Sequence, residues 1–345
     1  MVQNTTTSQR EHTLWIDILK GIAIILVVWG HNCPDHSFVY TFHMPLFFIL
    51  SGFLFSTKPT KIYFHRSLFR LIIPYVSFLI IIALPELIQK FSEQDIGGVK
   101  HLIFNLLYGG EMLKGPYAVF WFISVLWFST NLSNLIIIHK WSLWTLPLFI
   151  CISYIITLLS IPLPLNIHMI PVATTFIMIG YIIKRYSEWL YLKANNKILY
   201  LIIASIAILS LIYLYRQQLT IDLKYNNLGI PIVSLFSAVV ASSCIACIAI
   251  GLSNITLLSK ILVFIGNASM IIMFVHLPVK AYLIEPFYPR CNYVCSLVYE
   301  ILIALFIYCF IRKYNITRCI FMGQPLQPKT FRDPNGNKHI NNSIQ

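Results

Sequence analysis

Apolar runs close to membrane-spanning length follow one another along almost the whole chain, at about 15–32, 39–56, 71–90, 118–137, 143–160, 169–184, 197–214, 229–251, 259–278 and 294–312. A helix needs about 20 apolar residues to cross a hydrocarbon core of roughly 30 Å. Hydrophobic residues make up 58% of the chain and charged residues 11%, which leaves nothing for a separate soluble domain. The near-continuous apolar cover also departs from the apolar–polar alternation of an outer-membrane barrel. The sequence therefore predicts an all-α, polytopic membrane domain over residues 1–312 with about ten transmembrane helices. A polar tail, 313–345, rich in Pro and Asn, is expected to be flexible, cytoplasmic and without a site. The second run is the weakest, because its apolar core at 42–55 is short enough for a re-entrant segment.

The net charge of +13 could suggest nucleic acid, but Lys and Arg fall mostly between the apolar runs, where membrane orientation places them. With the N-terminus inside, 17 cations lie in inner loops and segment ends against 6 in outer loops, which predicts N-in and C-in. Nucleic acid is excluded as a partner, and membrane lipid is expected. No removable signal peptide is expected, since the first apolar run continues without an A-x-A-like cleavage site. Cys244 and Cys247 form a C-x-x-C inside an apolar run, which reads as packing rather than redox chemistry. Cys291 and Cys295 read as two free thiols.

The first run carries Asp17, Lys20 and, at its end, His31. At 100° per residue, the eleven steps from Lys20 to His31 return to within about 20°, on one stripe and about 16 Å apart along the axis. Asp17 falls near that stripe. Charged groups in a membrane helix are costly, so a shared face suggests a water-filled or protein-lined path. The competing reading is an i,i+3 ion pair of Asp17 with Lys20 near the inner interface. His31 is the best base in the chain, because imidazole titrates near neutral pH. Cys33, Asp35 and His36 follow in the hinge, but with His31 and His43 they fit no standard zinc spacing, so no metal is expected.

The stretch D-x-x-K-G-I-A-I-x-x-V-V-x-G-H at residues 17–31 and F-H-M-P-L-F-F-x-x-S-G at 42–52 resemble the integral-membrane acyltransferase family 3. The likeness is greatest to the branch of fucose 4-O-acetylases and polysaccharide O-acetyltransferases. Weaker likeness lies in the R-x-x-x-R and I-P-Y of residues 66–75, in W-F-x-x-x-L at 121–126 and in the G-x-x-S-x-x-x-x-x-x-H of 266–276. The better-known part of the family has Arg where this chain has Lys20, which keeps the charge but loses the bidentate fork.

The resemblance implies an O-acetyltransferase of the cell inner membrane. It would use acetyl-CoA as donor and a surface glycan or lipid-linked sugar as acceptor. His31 matches the family's essential His, and would act as base or as a covalent acyl relay. Asp17 and Lys20 would serve a proton path or the donor, and Arg66 and Arg70, four apart, would share a face toward donor phosphates. His43 would orient acceptor or His31. Trp121 would stack on a sugar ring, unless it belongs to an interfacial belt. His276 would line the cavity, because two turns of helix keep it from activating Ser269 directly. No bound cofactor is implied. A succinyl donor stays open, and so does a transporter or flippase of lipid-linked glycans. The latter predicts internal repeats and paired broken helices, neither of which is evident.

Overall fold

The computed structural model describes residues 2–141, 145–159, 163–191, 198–325, 330–332 and 338–340. It is a helical assembly, with α1 (Val2–Asn32), α2 (Ser37–Tyr40), α3 (His43–Phe53), α4 (Thr60–Ser67), α5 (Ile73–Ser92), α6 (Ile96–Tyr108), α7 (Trp121–Ile138) and α8 (Thr145–Leu159) in its first half. There follow α9 (Ile170–Tyr191), α10 (Ile198–Leu214), α11 (Arg216–Leu219), α12 (Val233–Leu252), α13 (Thr256–Asn267), α14 (Ser269–Val279), α15 (Glu285–Phe287), α16 (Tyr293–Ile311) and α17 (Asn315–Met322). Thr330–Arg332 and Lys338–Ile340 pair as a short antiparallel ribbon. Among the described residues seven helices are long and apolar enough to cross a membrane, with shorter apolar helices at Ser37–Phe53, Thr145–Leu159, Leu201–Leu214 and Thr256–Asn267. The chain is an all-α polytopic membrane protein.

α1 lies at the centre, packed against α3, α12, α13, α14 and α16. Two of its contacts are built on glycine. A Cβ on Gly21 would overlap the Leu262 carbonyl oxygen, and one on Gly266 would overlap the Asp17 carbonyl oxygen, so α1 and α13 meet backbone to backbone. Gly52 of α3 and Gly180 of α9 repeat this against the carbonyl oxygens of Ile177 and Ile49. Small residues allow such approach, which is how helices gain packing where lipid offers no hydrophobic drive.

Two π turns, Leu68–Ile72 and Lys280–Ile284, each run into a residue followed by proline, Pro74 and Pro286. Proline has no N–H to donate, so the backbone slips by one residue without losing a further hydrogen bond.

Three expectations change. The ninth predicted segment, 259–278, is two helices broken at Ala268, and Asn267 and Ser269, which favour helix ends, flank the break. The interval 91–117, which the sequence reads as an outer loop with a short amphipathic helix over 102–108, holds a longer helix that starts at Ile96, because the Asp95 carboxylate accepts from Gly98 N at 2.8 Å and caps it. The predicted tail contains α17, which packs on α5 with Phe321 and Phe78 rings 5.1 Å apart. All eight cysteines are free, Cys291 and Cys295 among them.

Candidate active site

The C-terminal end of α1 is fastened from two sides. Lys280 Nζ, on the second π turn, donates to the His31 carbonyl oxygen at 2.8 Å, which places a cation at the negative end of the helix dipole. Asn32 Nδ2 donates to Val28 O at 3.0 Å and to Glu300 Oε1 at 2.9 Å. Glu300, from the middle of α16, is fully buried and accepts a second bond from Ser296 Oγ at 2.8 Å. A buried carboxylate at membrane depth is expensive unless it is bonded; these two donors both serve Oε1, and Oε2 has no partner among the described residues. Glu300→Leu is expected to lower stability by about 1–3 kcal/mol by removing the acceptor of Ser296 Oγ and one of the two acceptors of Asn32 Nδ2, while Glu300→Gln keeps both bonds through its amide oxygen. Thermal unfolding of the two variants in detergent checks this; equal Tm values would contradict it.

The fastened end carries the His31 ring into a cavity of about 180 Å³, lined also by Tyr40, His43, Trp121, Asp222 and Lys224. Its ring centroid lies 5.3 Å from that of His276 and 6.4 Å from that of Tyr40. Tyr40 in turn lies 4.6 Å from His43. The Nδ1 atoms of His43 and His276 meet carbonyl oxygens, Val39 O at 3.0 Å and Ile272 O at 2.9 Å. A carbonyl only accepts, so both Nδ1 atoms carry the proton and both Nε2 atoms keep a lone pair. Among the described residues the His31 ring has aromatic neighbours and no such fixed bond, and it lines the cavity together with His43, whereas His276 does not.

Three of the expected site residues therefore converge: His31, His43 and Trp121. Trp121, at the start of α7, is buried and not part of an interfacial belt. His276 stands behind His31 with no exposure and does not line the cavity, contrary to expectation. Asp17 and Lys20 are outside the cavity and form the i,i+3 ion pair at 2.9 Å. Arg66 and Arg70 are exposed, on α4 and the first π turn, and do not reach the cavity either. Asp35 is engaged with Arg216 at 2.8 Å, and that hydrogen bond holds its carboxyl below the usual carboxylate range.

Sequence reasoning missed Tyr40, Asp222, Lys224, Lys280 and Glu300. Glu300 had a signal, a lone carboxylate within an apolar run. Asp222 and Lys224 had none, because the groups that hold their loop against the cavity, Leu113, Asn166 and Tyr40, are remote in sequence. Burial pushes the Asp222 carboxyl up and the Lys224 ammonium down to about 8.

Residues 13–310 match the family described as "Acyltransferase domain". A curated relative, the nodulation protein NolL of Sinorhizobium fredii (strain NBRC 101917 / NGR234), is 28% identical over 174 residues, covering 45% of this chain and 43% of that protein. The chain thus spans less than half the length of this relative. No solved structure matches.

Proposed function

We propose that this chain, which belongs to acyltransferase family 3, moves an acetyl group from acetyl-CoA to a sugar hydroxyl of a surface polysaccharide or its lipid-linked precursor. It is a membrane acyltransferase; the donor, the acceptor and the inner membrane as its place are our reading. The observation that carries this is the His31 imidazole, which lines a cavity with aromatic side chains in its wall. Acyl transfer to an alcohol needs a base for the hydroxyl proton and a pocket that excludes water, and an imidazole beside a mostly apolar lining supports that reading. The flat face of Trp121 suits the C–H face of a pyranose, and the Asp222 carboxylate can accept from its hydroxyls.

His31 takes the proton as the hydroxyl oxygen bonds to the thioester carbonyl carbon. The C–S bond then breaks, and the departing thiolate takes the proton back from His31. At about 180 Å³ the cavity is smaller than the roughly 300–1,000 Å³ of most ligand sites, so it suits the reacting ends of two longer substrates. The donor would enter from the Lys20 end of α1, about 16 Å below His31. Lys20→Ala is expected to raise the donor KM several-fold with kcat unchanged, as the loss of uniform binding does. An unchanged KM would take Lys20 out of the donor path and leave Arg66 and Arg70 as its phosphate partners.

Proton NMR of the surface glycan from cells carrying this gene or an empty vector tests the function. O-acetyl signals present only with the gene, and lost on mild alkali, are the expected result. Identical glycans, with the protein present in the membrane, would overturn the reading. Succinyl signals in place of acetyl would change the donor and leave the reaction class.

A further inference from the structure

The cavity beside His31 is lined by one lysine, Lys224, which comes from the loop between α11 and α12. That loop folds back on itself through Asp222 N to Asn227 O at 2.8 Å and Asn227 N to Asp222 O at 2.9 Å. Asp222 Oδ1 also accepts from Lys224 N at 3.1 Å. Separate parts of the chain then hold it in place: Ile221 N donates to Tyr40 O at 3.3 Å, Asn166 Nδ2 donates to Lys224 O at 3.0 Å, and Asn226 Nδ2 donates to Ile156 O at 3.4 Å. Lys224 is 8% exposed, and its Nζ donates to Leu113 O at 2.6 Å.

An ammonium has three N–H groups, and this one gives a single hydrogen bond to the protein among the described residues. Burying a charge with so few partners is unfavourable, and a loop this firmly braced keeps it there against that cost. Among the cavity's polar groups, His43 presents a lone pair and Asp222 a carboxylate, and Tyr40, Trp121 and Tyr225 offer only neutral donors, so none of them is a charged donor for a developing anion. Lys224 is.

We propose that Lys224 is a catalytic residue, whose ammonium donates a hydrogen bond to the acyl carbonyl oxygen as that oxygen becomes an anion. This rests on the acyl-transfer reading. As the acceptor oxygen bonds to the carbonyl carbon and its proton passes to His31, the carbonyl π pair moves onto oxygen, beside Lys224. When the C–S bond breaks, that pair returns and the thiolate leaves with the proton from His31. Lys224 stays protonated throughout. The charged and titratable groups around it are Asp222 and Tyr225 of its own loop, Glu111 and Lys114 of the segment before α7, and His31 of α1.

The test follows transfer of labelled acetyl from acetyl-CoA to the host glycan by membranes carrying the full chain, from about pH 6 to 10. Wild-type kcat is expected to fall above about pH 8, where Lys224 loses its proton. Stability should move the other way. The folded-state pKa lies below that of the unfolded chain, so between about 8 and 10.5 the unfolded state binds more protons and folding gains as pH rises. A falling rate with a steady or rising Tm separates loss of the ammonium from unfolding.

Lys224→Met is expected to lower kcat about 100-fold, the usual size for one oxyanion donor, with the donor KM little changed and no limb near pH 8. Lys224→Arg is expected to keep part of the rate and move the alkaline limb upward, since guanidinium stays charged. A Met variant within about three-fold of wild type, or an Arg variant with the limb unmoved, would overturn the proposal. Should the Met variant not fold, the Arg limb decides. Transfer that is intact in wild type and in Lys224→Met removes Lys224 alone; no transfer by wild type removes the acetyl-transfer reading and this step with it.

Discussion

His31→Ala is expected to lower acetyl transfer by about 10²–10⁴-fold, the range that a positioned general base contributes, and to leave the protein folded. The second half of that expectation is structural. Lys280 reaches the His31 main-chain oxygen, so alanine keeps this bond, and Asn32 keeps its hold on Glu300. What the substitution removes is an imidazole facing a cavity. The neighbouring histidines are poor substitutes. His276 has no exposure at all, and its ring is tied at Nδ1 to Ile272 O. His43 does line the cavity and keeps a lone pair on Nε2, but its ring sits against Tyr40 rather than in the place of the His31 ring. His43→Ala should therefore cost less than His31→Ala. Transfer rates and Tm for both variants check this. A His31→Ala protein with about a tenth or more of the wild-type rate would remove the base role. Wild-type protein that becomes labelled by the donor without acceptor, with loss of label on adding acceptor, would replace the base by a covalent relay.

Much of this arrangement is legible in the sequence, and the exceptions have physical causes. Helices declare themselves by apolar length, and His31 declares itself by standing at the end of one. Helical phase then places Asp17, Lys20 and His31 on one stripe, but phase does not say what covers each part of it. α13 lies close along the Asp17–Gly21 part, the cavity lies at His31, and the Asp17–Lys20 pair is left as a local ion pair. Lys224 is invisible to a sequence reading for a different reason. It is one of six cations counted to outer loops by charge, and Leu113, Asn166, Tyr40 and Ile156, from distant parts of the chain, turn its loop inward. The break at Ala268 was hidden because Asn and Ser, which suggest a helix end, lie within an apolar run whose length suggests one helix. Trp121 illustrates the same limit, because composition fits a membrane boundary and a buried wall equally well, and burial alone separates them.

Gly52→Val and Gly180→Val are each expected to remove most of the folded protein, although neither residue touches the cavity. In α3 and α9 the glycines are reciprocal: the place a Cβ would take on Gly52 is occupied by the Ile177 carbonyl oxygen, and that on Gly180 by the Ile49 carbonyl oxygen. Overpacking against side chains costs about 1–3 kcal/mol, because they can rotate away. Here the neighbour is the backbone of a packed helix, so the helices must separate and the cost lies at or above the top of that range. Alanine should already lower Tm by several degrees, and valine should abolish a monodisperse detergent-solubilised species. Gly97 supplies the control. It lies in α6, where a new Cβ would meet only the Asp95 carboxylate at 3.7 Å, so Gly97→Ala should be neutral or gain up to about 1 kcal/mol from helix propensity. The contrast also divides the two sequence motifs between roles. Gly21 of the first motif and Gly52 of the second hold α1 against α13 and α3 against α9, whereas His31 and His43 face the cavity. Glycine variants should therefore lose protein and activity together, and histidine variants should lose rate at constant protein. A Gly52→Val protein that accumulates and melts like wild type would show that α3 and α9 do not meet backbone to backbone.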